Sequence, residues 1–192
     1  MIERLIETFE ELKKYIFIVN RKDKGFIYIR FQNERFYHLV GLHKIKNFDN
    51  YFPTYMKSKD KRYKYIKKNI EKFNNILENQ SKEKDTLKLR MVTFNNVLDI
   101  LKGFNTSLYS LKSKNAFSLY NGDYGLVKIY EKDICCLLGL KIENKEESRI
   151  YCVPNSWMAS RRINQLVEFK RPLYIENISA VPIDISDECC RE

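Results

Sequence analysis

The apolar residues of this chain change period about halfway along it, and that change constrains the fold more than any other feature. Ile2, Leu5, Phe9, Leu12 and Ile16 recur at spacings of three and four, which predicts a helix with one buried face. A second stripe of the same period begins after Lys57 with Tyr63, Ile66, Ile70, Phe73 and Leu77, and breaks at Asn79-Gln80-Ser81. A third carries Leu87, Met91, Phe94, Leu98 and Leu101, with Gly103 as its stop. After that glycine the pattern turns to short β-rich runs at 116–120, 126–130, 134–142, 148–153 and 173–178. Turn chemistry such as Asn121-Gly122-Asp123 separates them. One earlier run, 26–31, follows the turn Lys22-Asp23-Lys24-Gly25. The expectation is an α+β fold: N-terminal helices, with an inserted basic helical hairpin at 57–103, packed on a C-terminal antiparallel β-sheet. Residues 1–183 are expected to form a single domain, and 184–192 a frayed acidic tail.

A 192-residue chain with 44% apolar and 14% aromatic residues has enough material for a substantial core. Its 35 Lys and Arg against 25 Asp and Glu leave a net charge of +10, which attracts polyanions and makes nucleic acid the leading partner class. A coding bias toward Lys, Asn, Ile and Tyr would raise the lysine content without any such partner. The charge is not spread evenly. Lys57, Lys59, Lys61, Arg62, Lys64, Lys67, Lys68 and Lys72 face only Asp60 and Glu71, so eight cations less two anions place +6 on one helix. That helix is either a solvated polar face or a phosphate-tracking surface, with Lys61, Arg62, Lys64, Lys67 and Lys68 as its candidate nucleic-acid contacts. With no apolar run of 18 residues and an acidic, amphipathic start, a cytoplasmic protein without membrane contact is expected. The five cysteines, Cys135, Cys136, Cys152, Cys189 and Cys190, form no CxxC and are read as reduced thiols.

Both histidines of the chain, His38 and His43, lie in the segment running from Arg35 to His43. Five residues apart, they would stand about 140° apart around a helix at ~100° per residue, so a shared metal is not expected, nor is any other cofactor. His38 is either a hydrogen-bonded structural residue or a proton-transfer group, because its ordinary pKa lies near neutrality. Cleavage of RNA through the ribose 2′-hydroxyl needs a base, an acid and groups that hold the phosphate. Arg30 and Arg35 lie nearest in sequence, while Lys112, Lys114 and Tyr120 depend on how the sheet is arranged. Pro154-Asn155-Ser156-Trp157, followed by Ser160-Arg161-Arg162, is a turn whose Trp157 plugs the core, or a phosphate site in which Ser156 donates and Arg161 or Arg162 supplies charge. The thiols of Cys135 and Cys136 point to opposite faces of a strand, so at least one belongs to the core.

Residues 35–42, Arg-Phe-Tyr-His-Leu-Val-Gly-Leu, together with 154–157, resemble the Phe-Tyr-His-Leu-x-Gly signature of a phage and mobile-element branch of the barnase, EndoU, colicin E5/D and RelE-like (BECR) nucleases. The resemblance implies an antiparallel sheet packed on N-terminal helices and a metal-independent endoribonuclease, a toxin or effector of a phage or mobile element. It carries His38 over as the proton-transfer residue, with Arg30, Arg35 or Lys114 stabilising the phosphate and Ser156 positioning it. The implied partners are RNA and an antitoxin or inhibitor. The alternative is a non-catalytic nucleic-acid-binding or regulatory protein of a mobile element.

Overall fold

A computed structural model describes residues 1–22, 25–81, 85–111, 122–130, 134–160 and 172–183. Helix α1 (Ile2–Lys13) leads into strands β1 (Tyr15–Arg21) and β2 (Gly25–Arg30). Helices α2 (Asn33–Leu39), α3 (Lys59–Lys68), α4 (Ile70–Ser81), α5 (Asp85–Val92) and α6 (Asn96–Leu101) follow. The chain then returns to sheet in β3 (Ser107–Ser110), β4 (Tyr124–Ile129), β5 (Cys135–Lys145), β6 (Arg149–Ser160) and β7 (Ile175–Pro182). The α+β class expected from the change of period is therefore the class observed.

The sheet has seven strands in the order β3-β4-β5-β6-β2-β1-β7. It differs from the expected C-terminal antiparallel sheet in two respects. The N-terminal hairpin β1–β2 is built into it, and β2 pairs with β6 in parallel, with Ile27 opposite Ile150. A parallel neighbour requires a long crossover, and the helical passage followed by β3, β4 and β5 supplies it. The sheet curls: Leu173 bridges Leu108 on the β3 edge, and the carbonyl of the next residue, Tyr174, accepts from Lys22 N just beyond β1.

The predicted helix through Ile16 overruns its true end. Residues 15–19, Tyr-Ile-Phe-Ile-Val, are aromatic and β-branched, and they pack better as a strand whose Phe17, Val19 and Arg21 turn inward. The second stripe divides at Asn69, whose side chain donates to the Tyr65 carbonyl and competes with the helical ladder. The third divides after Thr93, whose hydroxyl donates back to the Leu89 carbonyl in the same way. The expected strand at 116–120 and the tail at 184–192 lie outside the described residues. Among those described, no helix is long and apolar enough to cross a membrane.

One face of the sheet packs on the helices through a continuous core that includes Phe9, Ile27, Phe36, Phe73, Phe94, Leu138 and Trp157. Phe9 meets Phe31, Phe36 and Tyr63 edge-on at centroid distances of 6.0, 5.0 and 5.4 Å. The other face carries a smaller cluster of Tyr109, Leu111, Val127, Cys135 and Leu137. Cys135 and Cys136 are thus both buried, one in each cluster, and burial pushes their thiols up to about 12 and about 11, away from reactivity.

Candidate active site

Helix α2 is only seven residues long, and its Phe36 and Leu39, with Val40 just beyond, are fully buried, which leaves Arg35, Tyr37 and His38 at the rim. The helix ends because Gly41 takes φ +85°, in the left-handed region. A Cβ there would lie 2.9 Å from Leu87 Cδ1 and 3.0 Å from Arg90 Cδ, so both backbone and space require glycine. This turn folds His43, in the short 3-10 turn Leu42–Lys44, back over α2. The two imidazole centroids are 4.6 Å apart. The 140° separation applied to a continuous helix; the helix stops between the two residues, and they meet.

Lys59, the first residue of α3, brings its Nζ to 3.1 Å from His38 Nε2. An ammonium can only donate, so Nε2 is the accepting nitrogen and the ring proton is assigned to Nδ1. The α2–α3 junction is fixed by Asn33, which donates to Asp60 at 2.7 Å, while Lys64 pairs with the same carboxylate at 2.9 Å. A second clasp joins Tyr37 and Arg62, both of which donate to Asp49, at 2.9 and 2.7 Å.

Beneath the site lies Arg90, 6% exposed. Its Nε and Nη2 donate to the carbonyls of Leu39 and His38 at 2.8 and 2.6 Å, and its own carbonyl accepts from Trp157 Nε1 at 3.1 Å. The last carbonyls of a helix have no partner within it and carry its negative dipole end, so a buried guanidinium is well placed here. Burial lowers Arg90 to about 10, and it remains a cation at neutral pH.

These surroundings hold both histidines neutral. Burial is the main cause lowering His38 below its usual 6.5, followed by the charges of Lys59, Arg35 and Arg90. His43 keeps one edge in solvent. Desolvation by the rings packed on it, then the charges of His38 and Arg90, take it down to about 4 against an opposing hydrogen bond to the Tyr37 backbone.

Arg35 reaches from α2 to β6, donating to Asn155 Oδ1 at 3.2 Å and pairing with Glu143 at 3.4 Å. A bulge makes this possible. Leu140 pairs with Pro154 and Gly139 with Ser156, so Asn155 is the extra residue. Pro154-Asn155-Ser156-Trp157 is accordingly part of a strand and not a turn, and Trp157 is fully buried against Phe94.

The structure gathers only part of the predicted set. His38 and Arg35 share the α2 rim, whereas Ser156 pairs with Gly139 beside the second apolar cluster, on the sheet face away from the helices. Arg30 lies on that far face too, since the alternate residues Ile27 and Ile29 fill the main core. Lys114, Arg161 and Arg162 fall outside the described residues, as do Lys112 and Tyr120. On α3, Arg62 serves the Asp49 clasp, and Lys64 and Lys67 pair with Asp60 and Glu10. Lys61 and Lys68 are exposed. Sequence reasoning missed three contributors: Lys59 was visible only as one cation in a basic run, His43 was set aside by its spacing, and Arg90 sits in the apolar stripe between Leu87 and Phe94, where a charge is out of place. Among the described residues, no three His, Cys, Asp or Glu side chains are grouped to hold a metal ion.

No curated protein and no solved structure matches the chain. A family profile does, over residues 7–176, which takes in the α2 rim and every strand up to the start of β7. The chain belongs to the family described as phage-Barnase-EndoU-ColicinE5/D-RelE like nuclease4, a phage-associated nuclease family.

Proposed function

We propose that this nuclease is a metal-independent endoribonuclease, acting as a toxin or effector of a phage or mobile element, with its active site on the α2 rim. The observation that carries this reading is the neutral His38 imidazole, whose accepting Nε2 faces Lys59 within a ring of cations. A neutral imidazole is a base at physiological pH, and clustered cations suit a phosphodiester and repel a divalent metal. In the proposed reaction Lys59 turns to the phosphate and frees Nε2, which takes the proton of the ribose 2′-hydroxyl. The 2′-oxygen attacks phosphorus, the bond to the 5′-oxygen breaks, and that oxygen takes a proton from the Lys59 ammonium. The products are a 2′,3′-cyclic phosphate and a 5′-hydroxyl end. Arg35, held by Asn155 and Glu143, stabilises the charge that develops on the phosphate.

The test is cleavage of labelled RNA in EDTA by the wild type and by His38→Ala, with RNA affinity measured in parallel. The variant is expected to lose roughly 10²-fold or more in rate, the usual contribution of a positioned acid–base group, while affinity stays within a few-fold. Undiminished cleavage by His38→Ala would overturn the mechanism. Binding by the wild type without cleavage would favour a nucleic-acid-binding role.

A further inference from the structure

Beside the α2 rim, the loop that leads into α3 is anchored along its length, and one residue of it stands outward. Phe48, Phe52 and Met56 are buried, and Met56 N donates to the Pro53 carbonyl at 2.8 Å. Arg62 ties the two ends of the loop together. Its Nη1 donates to Asp49 at 2.7 Å and its Nε to the Met56 carbonyl at 3.0 Å, with the guanidinium 5.1 Å over the Phe52 ring. Tyr55, the neighbour of Met56, is 80% exposed, more than any other large apolar side chain among the described residues.

A lone exposed aromatic is ordinary on a protein surface, and only its surroundings give this one a use. Tyr55 precedes Lys59 by four residues, which is at most ~14 Å between Cα atoms at ~3.6 Å per residue. Asp49 lies on the same side of the rim. Tyr37, whose ring centroid is 6.0 Å from that of His38, and Arg62 both donate to Asp49 Oδ1, and among the described residues no donor meets Oδ2. The side chain is 64% exposed, so two donors fix the carboxylate while its second oxygen stays open to a ligand. A carboxylate repels phosphate. Next to a phosphodiester site, its accepting oxygen suits the N–H groups of a base.

We infer that Tyr55 and Asp49 form a subsite for a guanine base of single-stranded RNA beside the cleaved bond, an inference that rests on the ribonuclease reading of the α2 rim. The base stacks on the Tyr55 ring and turns its N–H edge to Asp49 Oδ2. Guanine suits that oxygen best, because its N1–H and exocyclic N2 amino group lie side by side and one carboxylate oxygen has two lone pairs to receive them. Adenine and cytosine place a ring-nitrogen acceptor next to their amino groups, and uracil flanks its N3–H with two carbonyls. Each of these brings a lone pair toward the charge. In a duplex the base faces are stacked and the same edge is paired, so the subsite takes only unpaired RNA.

Oligonucleotides that are 2′-O-methylated except at one ribose confine cleavage to one bond, and the base on each side of it is varied in turn among guanine, hypoxanthine, adenine, cytosine and uracil. On one side, guanine is expected to give a kcat/KM at least roughly tenfold above uracil, with hypoxanthine, which lacks the amino group, between them. Asp49→Asn keeps an oxygen for Tyr37 and Arg62 but puts an amide in place of Oδ2. It should shrink the guanine preference to within about threefold while the other substrates are still cut. Tyr55→Ala, a change at an exposed side chain, should lower kcat/KM about tenfold for every base, mainly through KM, and Tyr55→Phe should match the wild type. Affinities for fully 2′-O-methylated, uncleavable trinucleotides are measured alongside. A guanine preference in affinity with no cleavage of any substrate would sink the nuclease reading and support the subsite. Cleavage indifferent to the base, a guanine preference that survives Asp49→Asn, or unchanged kcat/KM in Tyr55→Ala would overturn the subsite and leave the nuclease reading in place.

Discussion

Two arginines of this molecule, Arg90 and Arg21, are equally buried at 6% exposure and do different work. Arg90 gives its guanidinium to two backbone carbonyls at the end of α2, and its backbone receives the indole of Trp157. Arg21 stands in the wall of a recess, stacked on a tyrosine ring. What separates them is the partner that the N–H fork meets. Backbone carbonyls cannot leave, so Arg90 is part of the scaffold and acts on His38 only through its fixed position and charge. Arg21 instead lies along the Tyr124 ring, with Nη1 3.5 Å from the Tyr124 hydroxyl, so its contacts are with side chains that can move.

Stability gives the largest contrast. Arg90→Met leaves two carbonyls without donors and is expected to cost about 3 kcal/mol, the sum of two unsatisfied buried groups, whereas Arg21→Gln should cost less than half of that. Denaturant unfolding of both variants measures the difference, and equal losses would abolish the distinction. A smaller effect separates the two ends by pH. Both histidines lie at the Arg90 end, and His43 falls from 6.5 unfolded to about 4 folded. The unfolded chain therefore binds a proton more readily between those values. The stabilisation is complete above 6.5 and is lost as the pH falls toward about 4. The midpoint of thermal unfolding should drop across that window, and less steeply in His43→Gln; parallel slopes would contradict the shift. The smallest effect belongs to the exposed lysines of α3. Lys61→Gln and Lys68→Gln should each reduce the salt dependence of RNA binding by up to ~0.7 in log–log slope and leave unfolding within about 0.5 kcal/mol of wild type.

The sequence made the amphipathic elements legible because their side chains face one way at a constant period. Phe9, Tyr63, Phe73 and Phe94 were assigned to the core by spacing alone, and they form it. Gly41 was visible as the glycine of the Phe-Tyr-His-Leu-x-Gly signature, though the turn it makes was not, since helical periodicity says nothing of residues beyond a break. Lys59 and His38 are 21 residues apart and meet through the docking of α3 on α2, which no local pattern records. Ser156 was read as part of a turn or a phosphate site, and its side of the sheet was hidden for a different reason: alternation predicts a side only when the register is unbroken.

That break in register reaches beyond Arg35. With Ile150 and Cys152 facing the core, strict alternation would direct Ser156 inward and Trp157 to the far face. Asn155 reverses the phase, so the largest side chain of the strand enters the core and the hydroxyl lies over Gly139. The extra residue therefore acts as a parity setting for the rest of β6. A deletion of one amino acid at this point would exchange inside for outside along everything that follows, a larger change than any substitution there could make.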